Sequence, residues 1–242
     1  MQGNFSGGIG YFLKGVEFLT HPRVRPFVIV PLLINIVIFA TLIYLSAGWL
    51  TDTLGGWLAA IPDWLSWLNW LIWPLLVFAG ALFTGYLFTA VAILIASPFN
   101  GLLAEKAEEI ITGVPVQGPE GFRGAVMLFP RSIARELRKF LYYLPLLLVV
   151  LVLSWFLTAI APALWLLLGA WMMAVQYVDY PMDNHQTSFE QLKRALRQRR
   201  LSSLGFGLAV AAVSGIPVLN FFVVPAAVCG ATLFWCEELR RQ

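Results

Sequence analysis

The chain has 242 residues, 60% of them hydrophobic and 12% charged, and its formal net charge is only +3. A soluble domain of this size carries roughly twice that charged fraction, so an ordinary soluble fold is excluded. The small net charge says little by itself and suggests no nucleic-acid partner.

The apolar residues come in blocks. No charged residue lies between Arg25 and Asp52, between Asp63 and Glu105, between Lys139 and Asp179, or between Arg200 and Glu237. Uncharged stretches of about 18 residues or more read as membrane segments. The expected fold class is therefore an all-α, polytopic integral membrane protein, a single transmembrane domain over residues 1–242. Lys14 and Glu17 interrupt the N-terminus before any apolar core, so no cleavable signal peptide is expected.

In chain order, residues 7–20 place Ile9, Phe12, Val16 and Leu19 on one helical face, with Lys14 and Glu17 off it. This pattern predicts an amphipathic helix lying in the membrane interface. Two long spans follow, Pro26 to Leu50 and Asn69 to Ala96, each able to cross ~30 Å of hydrocarbon. "SPFNGLLAEKAEEIITG" predicts a polar helix with Ser97 as N-cap, Pro98 in its first turn and a stop at Gly113. "SFEQLKRALRQRR" opens with the Ser188/Gln191 capping-box pattern. Its Lys193, Arg194, Arg197, Arg199 and Arg200 are expected to meet anionic headgroups.

The two later apolar blocks differ from the spans. Residues 140–178 break near Ala161-Pro162, and residues 201–236 break at Gly215-Ile216-Pro217. Each block starts and ends beside basic residues, so each returns to its starting side. Allowing for a turn, every arm is about 24–27 Å long, marginal for a crossing. Helical hairpins that penetrate without emerging are expected; four ordinary short spans are the alternative. Irregular backbone at a hairpin tip survives only inside protein or beside a wet cavity, which points to an oligomer or a pathway.

Topology follows from the cations. No Lys or Arg falls between Val28 and Lys106; the basic residues cluster in the N-terminal segment, in 106–139, in 193–200 and at the C-terminus. Those regions are placed on the cytoplasmic side, and the loop 51–69, with Asp52 and Asp63, on the outer side. Trp49, Trp57, Trp64, Trp67, Trp70 and Trp73 flank that loop as an interfacial belt. Cys229 and Cys236, seven residues apart on one helix, lie about 10 Å apart and cannot form a disulfide.

Catalytic chemistry is scarce. His21 and His185 lack any metal-ligand spacing, and no nucleophile elbow, P-loop or dinucleotide fingerprint occurs, so neither an enzyme nor a cofactor or metal is expected. The polar residues that enter the apolar zones are mostly amides: Asn35, Asn69, Asn100, Gln176 and Asn220. Such groups suit a partly hydrated ion in transit, or helix packing, better than a proton relay. The stretch "THPRVRPFVIVPLLIN" is the other chemical signal. Pro22 and Pro26 break the helix, so a restart near Val24–Phe27 presents free N–H groups beside Arg23 and Arg25. That combination fits a tetrahedral oxyanion; the alternative is a pair of arginines that snorkel to lipid phosphates.

"HPRVRPFVIVPLLIN", "WLIWPLLV", "ASPFNGLLAEKAEE", "YVDYPMDNH" and "AAVCGATLFW" follow the order seen in the bacterial CysZ family of sulfate transporters, which the whole chain resembles. The resemblance implies sulfate uptake across the inner membrane for cysteine synthesis, two long spanning helices with partly penetrating hairpins, and homo-oligomers, dimer-based or hexameric, embedded in lipid. The family's sulfate motif, Gly-Leu-Arg-Arg, falls on Arg23-Val24-Arg25-Pro26. Arg25 carries over, Pro26 replaces the second arginine, and Arg23 stands where the family has glycine. The resemblance extends to Asn35, Asn100 and Asn220 as pathway-lining residues and to Glu105, expected to pair with Arg131 or Arg135 in the pathway wall. It also extends to Asp183, Asn184 and His185, expected to form a turn that locks two helices; proton coupling through Asp183 or His185 is the alternative. A channel-like facilitator is the expected mechanism. The rival function is a scaffold or lipid-interacting protein whose hairpins shape the bilayer.

Overall fold

A computed structural model describes residues 3–59, 67, 69–116 and 121–240. The described residues form helices and no strand: α1 Phe5–Phe18, α2 Arg25–Ala59, α3 Asn69–Thr112, α4 Gly121–Phe156, α5 Ala161–Asn184, α6 Phe189–Gln198, α7 Arg200–Ser214, α8 Pro217–Phe234, and a closing π-helical turn, Trp235–Leu239. Residues Arg25–Leu45, Pro130–Phe156, Ala161–Asn184 and Phe222–Leu239 are long and apolar enough to cross a membrane. Two shorter apolar helices, Trp70–Tyr86 and Arg200–Ser214, accompany them among the described residues.

Local chemistry sets the helix ends. Asn4 caps α1, its Oδ1 accepting from the Ser6 N–H at 3.2 Å. The predicted capping box of α6 is present: Ser188 Oγ accepts from the Gln191 N–H at 3.2 Å, and Gln191 Oε1 from the Ser188 N–H at 2.9 Å. The hairpin breaks also fall where expected, α4 ending at Phe156 before Ala161-Pro162 and α7 at Ser214 before Ile216-Pro217. Pro162 and Pro217 each sit in the first turn of the next helix, where no N–H is needed.

The polar helix does not begin at Ser97. Helical backbone runs continuously from Asn69 to Thr112, and Ser97-Pro98 lies inside it. An interior proline removes one backbone bond, which a membrane helix tolerates. The stop falls where expected: Gly113 adopts φ +73°, and its N–H returns to the Glu109 carbonyl at 2.9 Å.

The chain divides into two compact units, Val30–Ala96 and the remainder, 1–29 with 97–242. In the first, the described side chains are mostly exposed and apolar, among them Leu33, Val37, Leu45, Leu75, Phe78 and Phe83. Outward apolar side chains are what a lipid-facing surface requires.

The larger unit has a core, built where α1 and α5 pack on α7 and α8. Phe12, Phe206 and Phe234 are almost fully buried, and the Phe234 ring stacks on Tyr11 with centroids 5.1 Å apart. Close backbone approach makes this packing possible. A Cβ at Gly230 would meet the Tyr11 carbonyl oxygen at 2.6 Å, and one at Gly15 would meet the Gly230 nitrogen at 2.6 Å. Gly8 and Gly205 make the matching contact between α1 and α7, and Gly207 rests on the Ala170 carbonyl of α5. Small residues at helix crossings are how helices associate where the hydrophobic effect offers no drive.

This packing gives α1 a buried face beside the apolar stripe predicted for the membrane interface. Gly8, Tyr11, Phe12 and Gly15 form its buried face, whereas Val16 is exposed. Of the predicted apolar stripe, Phe12 alone lies in the deep core; the glycine face holds α1 against α7 and α8. Cys229 is buried, Cys236 is half-buried, and both are free thiols.

Candidate functional site

Two polar constellations stand out in the larger unit. The first is the break between α1 and α2. The His21 carbonyl accepts from the Val24 N–H at 3.0 Å and the Arg25 N–H at 3.3 Å, and the Val24 carbonyl accepts from the Phe27 N–H at 3.0 Å. The Arg23 N–H points to His21 Nδ1 at 3.3 Å, and the His21 ring stacks on Phe18 with centroids 6.1 Å apart. Pro26 has no N–H. The amides expected to be free at this helix start are therefore engaged by the tight turn itself. What remains available is guanidinium: Arg23 and Arg25 are exposed, and neither forms an ion pair or side-chain hydrogen bond with the described residues. Val24 between them is completely buried, pinning the turn to the core while its neighbours face outward.

The second constellation joins α4 to α5 and the C-terminal part of α3. Arg131 Nη2 donates to Asp183 Oδ1 at 2.7 Å and its Nε to the same oxygen at 3.0 Å. One turn on, Arg135 pairs with Asp179, donates to the Thr187 carbonyl at 2.8 Å and lies 3.4 Å from Asp183 Oδ1. Another turn on, Lys139 Nζ donates to Glu136 Oε1 at 2.7 Å and lies 3.4 Å from Asp179 Oδ2. The Lys139 ammonium also stands 4.9 Å from the centroid of the Tyr180 ring. Arg135, Lys139 and Asp179 are buried. Buried ions of this kind persist only when paired. Three cations, Arg131, Arg135 and Lys139, face three carboxylates, Glu136, Asp179 and Asp183.

Amides and hydroxyls complete the network. Asn100 Nδ2 donates to Tyr180 Oη at 3.4 Å, Gln176 Nε2 donates to the same oxygen at 3.1 Å, and the Tyr180 hydroxyl reaches Glu136 at 3.4 Å. Asn184 Nδ2 donates to the Gly101 carbonyl at 2.9 Å. His185 Nε2 lies 2.8 Å from both oxygens of the buried Glu108, which also accepts from Arg240 Nη1 at 2.8 Å. These contacts border a small cleft lined by Gly101, Glu105, Ser132, Arg135, Asp183 and Asn184, among others.

The sequence-derived residues thus separate into groups. Asn100, Glu105, Arg131, Asp183 and Asn184 are brought to the cleft or its rim, with His185 one residue beyond. Arg23, Val24, Arg25 and Pro26 form the α1–α2 turn. The side chains of Asn35, Asn69 and Asn220 lie outside the described residues. Arg131 and Arg135, expected to answer Glu105, reach Asp183 and Asp179 of α5, and Glu105 lines the same cleft. Sequence reasoning misses Glu108, Glu136, Lys139, Asp179, Tyr180 and Arg240 as site residues. Part of their signal lies in spacing: Arg131, Arg135 and Lys139 recur every four residues on α4, as Asp179 and Asp183 do on α5, so antiparallel helices zip them together. No group of three metal-ligating side chains occurs among the described residues.

Outside these sites, Tyr11 Oη donates to Glu238 Oε1 at 3.3 Å, and burial, with Glu238 and Glu237 close by, pushes its hydroxyl up and keeps it a donor. Ser202 donates to the same carboxylate at 3.1 Å and accepts from the Asn4 N–H at 2.9 Å, tying the N-terminus to α7 and the closing turn.

Comparison with known proteins places this architecture. Residues 11–225 match the family described as sulfate transporter CysZ/etoposide-induced protein 2.4. The chain is 41% identical over 241 residues to the sulfate transporter CysZ of Vibrio parahaemolyticus serotype O3:K6 (strain RIMD 2210633), covering 97% of this chain and 96% of that one. It is 41% identical over 250 residues to the sulfate transporter CysZ of Vibrio cholerae serotype O1 (strain ATCC 39541 / Classical Ogawa 395 / O395), covering 100% and 98%. It is 42% identical over 233 residues to the sulfate transporter CysZ of Pseudomonas fluorescens (strain Pf0-1), covering 96% and 93%. With likeness running through nearly the whole of each chain, and with helices able to cross a membrane, this protein belongs to the CysZ family.

Proposed function

We propose that this protein carries sulfate into the cell across the bacterial inner membrane, supplying sulfur for cysteine synthesis. The observation that carries the proposal is near-full-length similarity to proteins named sulfate transporters. That similarity disfavours the scaffold reading and favours a transporter over an enzyme. The chemistry of the chain agrees with it. The exposed guanidiniums of Arg23 and Arg25 offer planar donors to a tetrahedral dianion, and the turn's own amides are already bonded. Arg25 is the principal ligand and Arg23 its neighbour; Val24 and Pro26 act through backbone shape, the one pinning and the other breaking the helix.

Beyond capture, transit needs dipoles rather than traps. Stripping water from a dianion is costly, and a fixed unpaired cation would hold it. A cleft whose cations Arg131, Arg135 and Lys139 are more than matched by Glu105, Glu136, Asp179 and Asp183, and which Asn100 and Tyr180 help to build, offers polarity without a trapping cation. Asn35, Asn100, Glu105 and Asn220 line the route in this reading, while Asp183, Asn184 and His185, each bonded to another helix, hold its wall. The inside-negative potential opposes entry by about 2.3 kcal/mol per charge per 100 mV, twice that for sulfate. Flow therefore follows a sulfate gradient maintained by consumption inside, as through a channel.

A depth marker supports hairpins that penetrate only part of the bilayer. Lys193 of α6 stands 5.3 Å over the Tyr142 ring, and Trp171 Nε1 donates to Tyr142 Oη at 3.0 Å. Charged and interfacial groups share that level. Beyond it α4 runs to Phe156, about 21 Å, and α5 extends back to Ala161, about 15 Å, both short of ~30 Å. Tips at mid-bilayer depth need cover, which a dimer-based homo-oligomer supplies.

Flux of labelled sulfate into liposomes containing the purified protein tests the function. Uptake above empty liposomes, undiminished by collapse of an imposed pH gradient, is expected. Uptake equal to empty liposomes would overturn transport; uptake that requires the pH gradient would overturn the channel mechanism.

A further inference from the structure

The basic face of α6 is not used by either constellation. Leu192 and Leu196 are completely buried and fix the helix in rotation. On the opposite side Arg194 and Arg197 are exposed three residues apart, and Arg200, exposed at the start of α7, continues the patch. None of these three guanidiniums forms an ion pair or hydrogen bond with the described residues. The one acid of α6, Glu190, is bonded to Lys193; that hydrogen bond, with Arg194 and Arg197 nearby, holds its carboxyl below the usual carboxylate range. By contrast, neighbouring Arg199 faces Glu238 at 4.0 Å.

The position of the patch is set by packing. Lys193 lies 5.3 Å from the centroids of both Tyr142 and Phe189, whose rings meet edge to face at 5.6 Å. On α4, Arg138 is the last exposed charged side chain; Leu137, Phe140 and Leu141 around it are already exposed and apolar, and beyond Tyr142 the exposed residues Leu144, Leu148, Val149, Leu151 and Val152 continue that apolar surface. Charged surface has given way to lipid-compatible surface by the level where α6 is pinned. A positively charged helix face at that boundary meets headgroups and not acyl chains.

We propose that Arg194, Arg197 and Arg200 form a docking surface for anionic phospholipid headgroups of the cytoplasmic leaflet. The packing of α6 and α7 fixes the backbone from which the three guanidiniums extend, so the surface selects phosphatidylglycerol over a zwitterionic lipid. This does not depend on what ion the protein carries.

The test uses the full-length protein in mixed micelles of phosphatidylcholine and phosphatidylglycerol, with retained lipids counted by native mass spectrometry. The wild type is expected to enrich phosphatidylglycerol, and each Arg→Gln change at 194, 197 or 200 to reduce that enrichment roughly five-fold at low salt, the Boltzmann weight of one basic residue near an anionic surface. Raising ionic strength should weaken enrichment in the wild type without any substitution. Equal enrichment in the wild type and in Arg194→Gln/Arg197→Gln/Arg200→Gln would overturn the proposal, as would salt-insensitive enrichment if the triple variant does not fold. Displacement of the lipid by millimolar glycerol phosphate would overturn the lipid commitment, because a free phosphate would then suffice.

Discussion

Two arginine pairs of this protein live under opposite rules. Arg131 and Arg135 are each held by an α5 carboxylate, and Arg135 is buried. Arg23 and Arg25 are exposed on a turn and make no ion pair with the described residues. Burial explains Arg135: a guanidinium withdrawn from water costs several kcal/mol unless countered, so the fold supplies its own anions, and Arg131 at the rim shares them. Exposure explains the second pair: a cation that stays wet needs no internal partner and remains available to a visitor. The same side chain is therefore structural in one place and ligand-ready in the other, and the difference lies in what surrounds it.

Breaking the compensation in the cleft should have the largest effect. Asp179→Asn leaves Arg135 and Lys139 without their shared carboxylate in a buried site. A loss of about 3–5 kcal/mol is expected, read as a sharp fall in Tm of the detergent-solubilised protein. A variant as stable as wild type would show that the cluster is wet and not truly compensated. At the turn, the prediction has the opposite form. Arg25→Ala should leave Tm almost unchanged, within about 0.5 kcal/mol as at other exposed sites. Yet it should weaken sulfate binding by calorimetry about ten-fold or more, the loss of charge-assisted hydrogen bonds. Arg23→Ala should weaken it less. Unchanged binding in the double variant would remove the turn from the sulfate site.

Arg131 lies between the two extremes and sharpens the comparison. Its side chain is 38% exposed and that of Asp183 is 21% exposed, so solvent screens the pair. Arg131→Gln should cost about 1 kcal/mol of stability, well below Asp179→Asn. A double-mutant cycle with Asp183→Asn isolates the pairwise part.

How legible all this is in the sequence depends on the physical signal involved. The first span, the hairpin breaks at Pro162 and Pro217 and the Ser188 cap rest on local rules, and these elements occur as the residues predict; of the second span, the described apolar stretch is the shorter Trp70–Tyr86. The buried face of α1 is less legible, because the stripe of Ile9, Phe12, Val16 and Leu19 is an interface pattern, whereas Gly8 and Gly15 permit backbone contact on another face. Hydropathy assigns little weight to glycine, although in this unit it decides which faces meet. Capping logic also fails once, at Ser97, where a cap residue followed by proline sits inside a continuous helix. The ladder of Arg131, Arg135 and Lys139 against Asp179 and Asp183 is visible as four-residue spacing, but only the antiparallel pairing of α4 with α5 shows which charges meet. Glu108 and Arg240 meet across more than half the chain length, and no local pattern could pair them.

That last pair gives the smallest expected effect. Glu108 is buried, with its side chain 2% exposed, while the Arg240 side chain is 49% exposed. The Glu108 carboxylate accepts from Arg240 at 2.8 Å and also faces His185. Removing Arg240 leaves Glu108 with a hydrogen-bond partner, so it is not orphaned, and much of the lost attraction is already screened by solvent. Arg240→Gln should therefore cost less than about 1 kcal/mol. His185→Ala should cost more than Arg240→Gln, because it strips the less exposed partner and also the ring that lies 5.8 Å from Trp235. If Arg240→Gln proved as damaging as Asp179→Asn, exposure would not be what separates the two kinds of arginine, and the contrast between cleft and turn would need another cause.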